Sequence, residues 1–260
     1  MSRNNLPIGF FDSGVGGISV LAEAARLMPR ESMIYFGDSL HNPYGTKEVK
    51  EVMNLSFQAA EFLINKGIKA LVVACNTATS AAINELRENL DIPVIGMEPA
   101  LKPGVQRCGQ GRVVVMATPV TLREKKFQCL MNNYRADHQI NPLPCPGLAE
   151  LIEGGTYKGQ AVQNYLANIF APLAMEKVSV IVIGCTHYVF IKNDIAALFP
   201  QVELVDGNMG TVKNLQRILT QNNLLTEQNE ENRTIQYYST ADPARFLPLY
   251  KELFHYCLKD

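Results

Sequence analysis

Short aliphatic, β-branched runs alternate with longer amphipathic stretches along the whole of this 260-residue chain. That alternation is its most restrictive feature. A buried parallel strand is continuously apolar, and it needs a crossover helix before the next strand can lie beside it. Residues 7–11, 32–36, 69–74, 93–96, 112–117, 138–143, 178–183, 202–205 and 234–239 read as strands. A helix from Ile18 stops before Pro29, and Thr46 is placed as the N-cap of a helix that ends at Gly67. That second helix carries Val49, Val52, Met53, Ala60 and Leu63 on one face. Further helices are expected over 78–89, from Thr118-Pro119, around 147–153 and 160–175, and from Asp242, while the polar segment 222–233 reads as a surface loop. The expected fold class is α/β, with mostly parallel sheets flanked by helices.

The pattern runs twice. Val-Val-Ala-Cys-Asn-Thr at 72–77 matches Val-Ile-Gly-Cys-Thr-His at 182–187, an offset of 110. The strand ends at Gly96 and Val205 are offset by 109, and those at Phe11 and Ala117 by 106. Buried strands resemble one another by chance, but a cysteine at the same point of both units argues against it. Two pseudo-symmetric lobes are expected, with the active site in the cleft between them.

A net charge of −1 leaves no basic footprint for nucleic acid. No apolar stretch approaches the ~20 residues of a membrane span. Met1 to Pro7 leads straight into the first strand with no secretory h-region, so a cytoplasmic setting is expected. The six cysteines, at 75, 108, 129, 145, 185 and 257, form no CxxC pair and no zinc-like cluster, so neither a metal site nor a disulfide framework is expected. Most should be small buried hydrophobes. Cys108, Cys129, Cys145 and Cys257 read as structural, and His41, His138 and His255 receive no role.

In open α/β sheets functional groups gather at the carboxyl ends of strands. Four polar groups sit there: Asp12-Ser13, Cys75-Asn76-Thr77, Thr118 with Thr121, and Cys185-Thr186-His187. The turn Asp12–Gly17 fits a phosphate cradle poorly. Ser19 stands where a dinucleotide fingerprint needs its third glycine, and no Gly-Lys-Ser/Thr follows. It reads either as a plain tight turn or as a cradle whose helix N–H groups hold a small anionic or zwitterionic ligand.

Cys75 and Cys185 each end a strand and precede an expected helix, a setting that lowers a thiol from its ordinary pKa near ~8.5. Either alone could be a buried structural residue. As a pair they suit the inversion of a stereocentre, where a proton leaves one face of Cα and another arrives on the opposite face. Asn76, Thr77 and Thr186 are candidate donors to the carbanionic transition state. His187 is placed to tune Cys185 and Asp12 to tune Cys75. Glu153 either reaches Cys185 or ends a surface helix.

Phe-Asp-Ser-Gly-Val-Gly-Gly (11–17), Gly-Asp-Ser…Asn-Pro-Tyr-Gly-Thr-Lys (37–47), Ala-Cys-Asn-Thr-Ala-Thr (74–79) and Gly-Cys-Thr-His-Tyr (184–188) closely resemble the motifs of glutamate racemases, in the same order and over nearly the whole chain. The resemblance implies interconversion of L- and D-glutamate without pyridoxal phosphate or metal, supplying D-glutamate for peptidoglycan. It implies Cys75 as the base toward the D-isomer and Cys185 toward the L-isomer, assisted by Asp12, Glu153 and His187. Substrate contacts would come from Asp12, Ser13, Tyr44, Gly45, Asn76, Thr77, Thr118, Thr121, Thr186 and His187. It further implies a homodimer, and a last strand and helix that return to the first lobe, giving lobes of 1–98 plus 208–260 and of 99–207. Two departures stand out: Val189 where the family often has proline, and a more polar Gly147–Glu150 segment, which bears on Glu153. Activation by a cell-wall precursor is not expected, since the N-terminal extension of members so regulated is missing. The alternatives are a racemase of the aspartate or hydantoin type, a hydrolase with a single cysteine nucleophile, and a non-enzymatic ligand-binding α/β protein.

Overall fold

Among the described residues, 3–97 and 99–259 of a computed structural model, the apolar runs form nine strands in two sheets, each strand parallel to its neighbours. The first sheet holds β1 (Ile8–Asp12), β2 (Met33–Gly37), β3 (Ala70–Val73), β4 (Val94–Gly96) and the late strand β9 (Ile235–Ser239), in the order β4-β3-β1-β2-β9. The second holds β5 (Arg112–Ala117), β6 (Ile140–Pro144), β7 (Val178–Ile183) and β8 (Glu203–Asp206), in the order β6-β5-β7-β8. Reversing the second order makes it β8-β7-β5-β6, the same winding as β4-β3-β1-β2. The repeated sequence pattern is therefore a repeated topology, with β9 added at the edge of β2.

Helices α1 (Ile18–Leu27), α2 (Val49–Asn65), α3 (Asn76–Asn89), α4 (Leu101–Arg107), α5 (Pro119–Arg123), α6 (Lys125–Arg135), α7 (Leu148–Glu153), α8 (Gln160–Phe170), α9 (Lys192–Leu198), α10 (Asn208–Gln221) and α11 (Pro243–Lys259) connect and cover the strands. Side chains alternate across each strand, as the pleat requires. Phe10, Tyr35 and Val72 face the α1 and α11 side, while Phe11, Phe36 and Val73 face α2 and α3. In the second sheet Val114, Met116, Ile181 and Ile183 join the first of these cores, and Val113, Val115, Val180 and Val182 pack beneath α4 and α6. One apolar cluster thus runs from sheet to sheet. No described helix is long and apolar enough to cross a membrane.

Several boundaries differ from expectation. Thr46 is not an N-cap: its hydroxyl donates to the Pro43 carbonyl, Tyr44–Thr46 is a short 3-10 turn, and α2 starts after Glu48. The helix expected to reach residue 175 ends at Phe170, where Pro172 interrupts it. Residues Thr186–Ile191, expected to open a helix, form a 3-10 segment, and α9 begins only at Lys192. Their β-branched and aromatic side chains are weak helix formers. Cys129 is exposed on α6 rather than buried. Segment 222–233 is mostly exposed but pinned at Leu224, which is buried, and at Thr226, whose N–H donates to buried Glu31.

Candidate active site

The carboxyl ends of both sheets converge on one small cavity. Cys75 follows β3 and caps α3, with the Ala78 N–H donating to its sulfur at 3.4 Å and its own S–H directed at Ser13 Oγ, 3.6 Å away. The pull of the helix terminus is outweighed and the thiol is not left low, contrary to the expectation from sequence. Burial pushes it up to about 12 and the charge of Asp12 adds to that, outweighing the Ala78 N–H and the Ser13 hydroxyl.

Cys185 follows β7 and has no α-helix behind it. Its sulfur lies 3.9 Å from His187 Nδ1, and His187 Nε2 lies 2.8 Å from Glu153 Oε2. Glu153, the last residue of α7, is buried and does not end a surface helix. It does not bond Cys185 directly and reaches His187 instead. Its Oε2 also accepts the Val15 N–H at 2.8 Å, and its Oε1 accepts the Ser39 hydroxyl. Burial opposes charge on His187, but its bonds to Cys185 and Glu153 win and hold it well above 6.5.

Asp12, at the end of β1, is 0% exposed. It accepts the Gly14 N–H at 2.8 Å and the Thr186 hydroxyl at 3.0 Å, so it ties the turn after β1 to the end of β7. Burial raises its pKa despite opposing pulls from His187, the Gly14 N–H and Thr186. This changes the reading of the glycine-rich turn. The N–H groups of Gly14 and Val15 are taken by the protein's own carboxylates, Asp12 and Glu153. The glycines allow a close approach: a Cβ on Gly14 would lie 2.2 Å from Glu153 Oε2, and one on Gly16 2.3 Å from Thr186 Oγ1.

Across the cavity Thr77, Thr118 and Thr121 join their hydroxyls at 3.0–3.2 Å. The Tyr44 hydroxyl donates to Asp38 at 2.6 Å, and Gly45 backs onto Thr118, where a Cβ would lie 2.6 Å from the Thr118 Cβ. Asn76 is 3% exposed, and among the described residues neither atom of its amide has a partner. A buried amide without bonds costs about 1–3 kcal/mol, which a polar ligand would recover. Ser13, Tyr44, Gly45, Cys75, Asn76, Thr77, Thr118, Cys185, Thr186 and His187 line the cavity, while Asp12, Thr121 and Glu153 stand behind that lining. The cavity is small, about 20 Å³, room for a single water.

Sequence reasoning passed over Asp38, Ser39 and Tyr250. Asp38 and Ser39 follow β2 within a quoted motif and so carried a positional signal. Asp38 also accepts from Thr240 Oγ1 at 2.7 Å and lies 2.8 Å from His41 Nδ1. Tyr250, on α11, looked like any buried aromatic on an amphipathic helix.

Comparison with known proteins agrees with this architecture. The family model for Asp/Glu/hydantoin racemases matches residues 18–215. A glutamate racemase of Clostridium botulinum is 54% identical over 243 residues, covering 93% of this chain and 95% of that protein. A Francisella tularensis glutamate racemase, solved in complex with D-glutamate, superposes with a TM-score of 0.82 at 30% identity over 99% of this chain and 95% of that one. The Bacillus anthracis isoform RacE1 gives 0.84 at 30% identity, covering 97% and 95%.

Proposed function

The chain belongs to the Asp/Glu/hydantoin racemase family and is an amino-acid racemase, and from that premise we propose that it inverts glutamate by proton transfer between Cα and the thiols of Cys75 and Cys185. The observation that carries the reading is the position of the two sulfurs. They follow topologically equivalent strands of two sheets and line one cavity.

In one direction the thiolate of one cysteine removes the Cα proton and becomes a thiol. The other thiol protonates the opposite face and becomes a thiolate. The enzyme ends in the complementary protonation state, ready for the reverse passage. Cys75, raised by burial and by Asp12, needs positive charge to act as a base, and a substrate ammonium beside Asp12 supplies it. On the other side His187, anchored by Glu153, faces the sulfur of Cys185. The unpaired Asn76 amide and the threonine hydroxyls suit the substrate carboxylates. Following the resemblance, Cys75 serves the D-isomer and Cys185 the L-isomer, and the product D-glutamate supplies peptidoglycan synthesis.

The test is solvent-deuterium incorporation at Cα of L- and D-glutamate, with wild type, Cys75→Ser and Cys185→Ser and no cofactor added. Each substitution should lower racemisation by at least about 10²–10⁴-fold, the range of one general acid or base. Wild type that exchanges neither enantiomer would overturn the proposal. Wild type that inverts aspartate instead would leave the family and remove the substrate.

A further inference from the structure

Glu153 is fixed by a chain of hydroxyls that does not touch the cavity. Ser39 has one proton and directs it to Glu153 Oε1, which leaves its lone pairs for the Tyr250 hydroxyl 3.0 Å away. Tyr250 is 0% exposed and stands edge-on to Tyr35, with ring centroids 5.2 Å apart. A Cβ on Gly37 would lie 2.2 Å from its hydroxyl oxygen, so the strand end is shaped around that group. The Tyr250 hydroxyl also meets Ser239 Oγ at 3.2 Å and the Gly37 carbonyl at 3.5 Å, but Ser39 is its nearest partner, so the shortest path runs from Tyr250 to Ser39 to Glu153. With Val15 N–H, Ser39 O–H and His187 Nε2 all pointing at it, Glu153 is held as an acceptor. Glu153 therefore takes the Nε2–H of His187 and fixes the ring, with Nδ1 facing the sulfur of Cys185.

We propose that Ser39 and Tyr250 are positioning residues for the half-reaction at Cys185: their hydroxyl relay orients Glu153, Glu153 orients His187, and His187 steadies proton transfer at the Cys185 sulfur. The inference rests on the two-thiol reading above. The sulfur of Cys75 meets Ser13 and the Ala78 N–H, and the Ser13 hydroxyl reaches Asp12 Oδ1 at 3.5 Å, a link in which neither Ser39 nor Tyr250 takes part.

The experiment compares wild type with Ser39→Ala, Ser39→Thr and Tyr250→Phe. It uses steady-state rates in both directions, thermal melts, and primary isotope effects on kcat/KM with 2-deuterated L- and D-glutamate. Ser39→Ala should lower kcat about tenfold, the scale of one hydrogen bond to a charged group. KM should move by less than about twofold, because neither residue lines the cavity. The equilibrium constant between enantiomers is one, so kcat/KM must fall equally in both directions, and rates alone cannot say which thiol is impaired. The isotope effects can. For the enantiomer that Cys185 deprotonates, the effect should rise, because that step has become slower. For its mirror image the effect should fall, because the slow step is now reprotonation. Tyr250→Phe should shift both in the same sense by less, and Ser39→Thr should restore wild-type values. Isotope effects that stay at wild-type values or move together would overturn the inference, whatever the melts show. So would wild-type rates in a folded Ser39→Ala or Tyr250→Phe. Absence of racemisation in wild type would instead overturn the proposed function itself.

Discussion

Replacing Gly14 with alanine places one methyl group where the structure has least room for it. The new Cβ would lie 2.2, 2.5 and 2.6 Å from Oε2, Cδ and Oε1 of Glu153. Glu153 is flexible enough to swing aside, but only by leaving the Val15 N–H, the Ser39 hydroxyl and His187 Nε2. Each bond to a charged group is worth about 1.5–3 kcal/mol, and water returns part of what is lost, so the net cost is about 3–5 kcal/mol. For a chain of this size that lowers the melting temperature by about 10 °C. At 1.36 kcal/mol per factor of ten, a site that loses its His187 anchor should slow by about 10²–10³-fold. Circular dichroism of glutamate follows the inversion directly, and a thermal melt reads the stability. Gly210→Ala on α10, where a Cβ meets nothing within 4 Å, is the control and should stay within about 1 kcal/mol of wild type. Shortening the carboxylate in Gly14→Ala/Glu153→Asp should recover part of the stability, since the two sites are in contact and their effects do not add. A Gly14→Ala protein with wild-type kcat and an unchanged melt would refute the reasoning, because Glu153 would then be free to leave its place at no cost.

Two other outcomes follow from buried polar groups. Asp12 has a raised pKa in the fold, so its charge opposes folding at neutral pH, and that cost disappears as pH falls toward its ordinary value of 3.8. Asp12→Asn should therefore melt above wild type at pH 8, by a margin that shrinks toward pH 4, while racemisation is lost; a pH-independent drop in melting temperature would contradict this. Asn76→Ala removes an amide with no partners, so the variant should melt at or above wild type, yet its KM should rise about tenfold; an unchanged KM would show that the amide does not meet the substrate.

The strands were legible because parallel strands buried on both faces leave continuous apolar runs, and the 106, 109 and 110 offsets expressed a repeated topology before any pairing was known. Cys75 and Cys185 were legible for the same reason: each follows the strand that occupies the equivalent place in its sheet. The surroundings of the two sulfurs were not. That Glu153 meets Val15, 138 residues away, depends on how the two sheets face each other, which no local pattern records. The expectation that a helix terminus would lower Cys75 failed on burial, a quantity set by the closed walls around it. Thr46 looked like a cap because its residue type suits one, but a nearby carbonyl took its hydroxyl first. Tyr250 carried no signal, since a buried tyrosine on an amphipathic helix is ordinary until Gly37 and Ser39 are seen beside it.

The order of the first sheet bears on how the protein is made. The second sheet is drawn from one unbroken stretch, 112–206, and every pairing in it is available once that stretch has left the ribosome. The first sheet has to wait for β9, whose partner β2 was synthesised about two hundred residues earlier. Until then Met33–Gly37, apolar and buried in the finished fold, presents an open edge with unpaired N–H and C=O groups. Until residue 235 is made, the second sheet can pair all its strands while β2 keeps an adhesive border, and any pause before that point prolongs its exposure to other chains. The exposed Gln236 and the modest burial of the rest of β9 suit a strand that seals that border last.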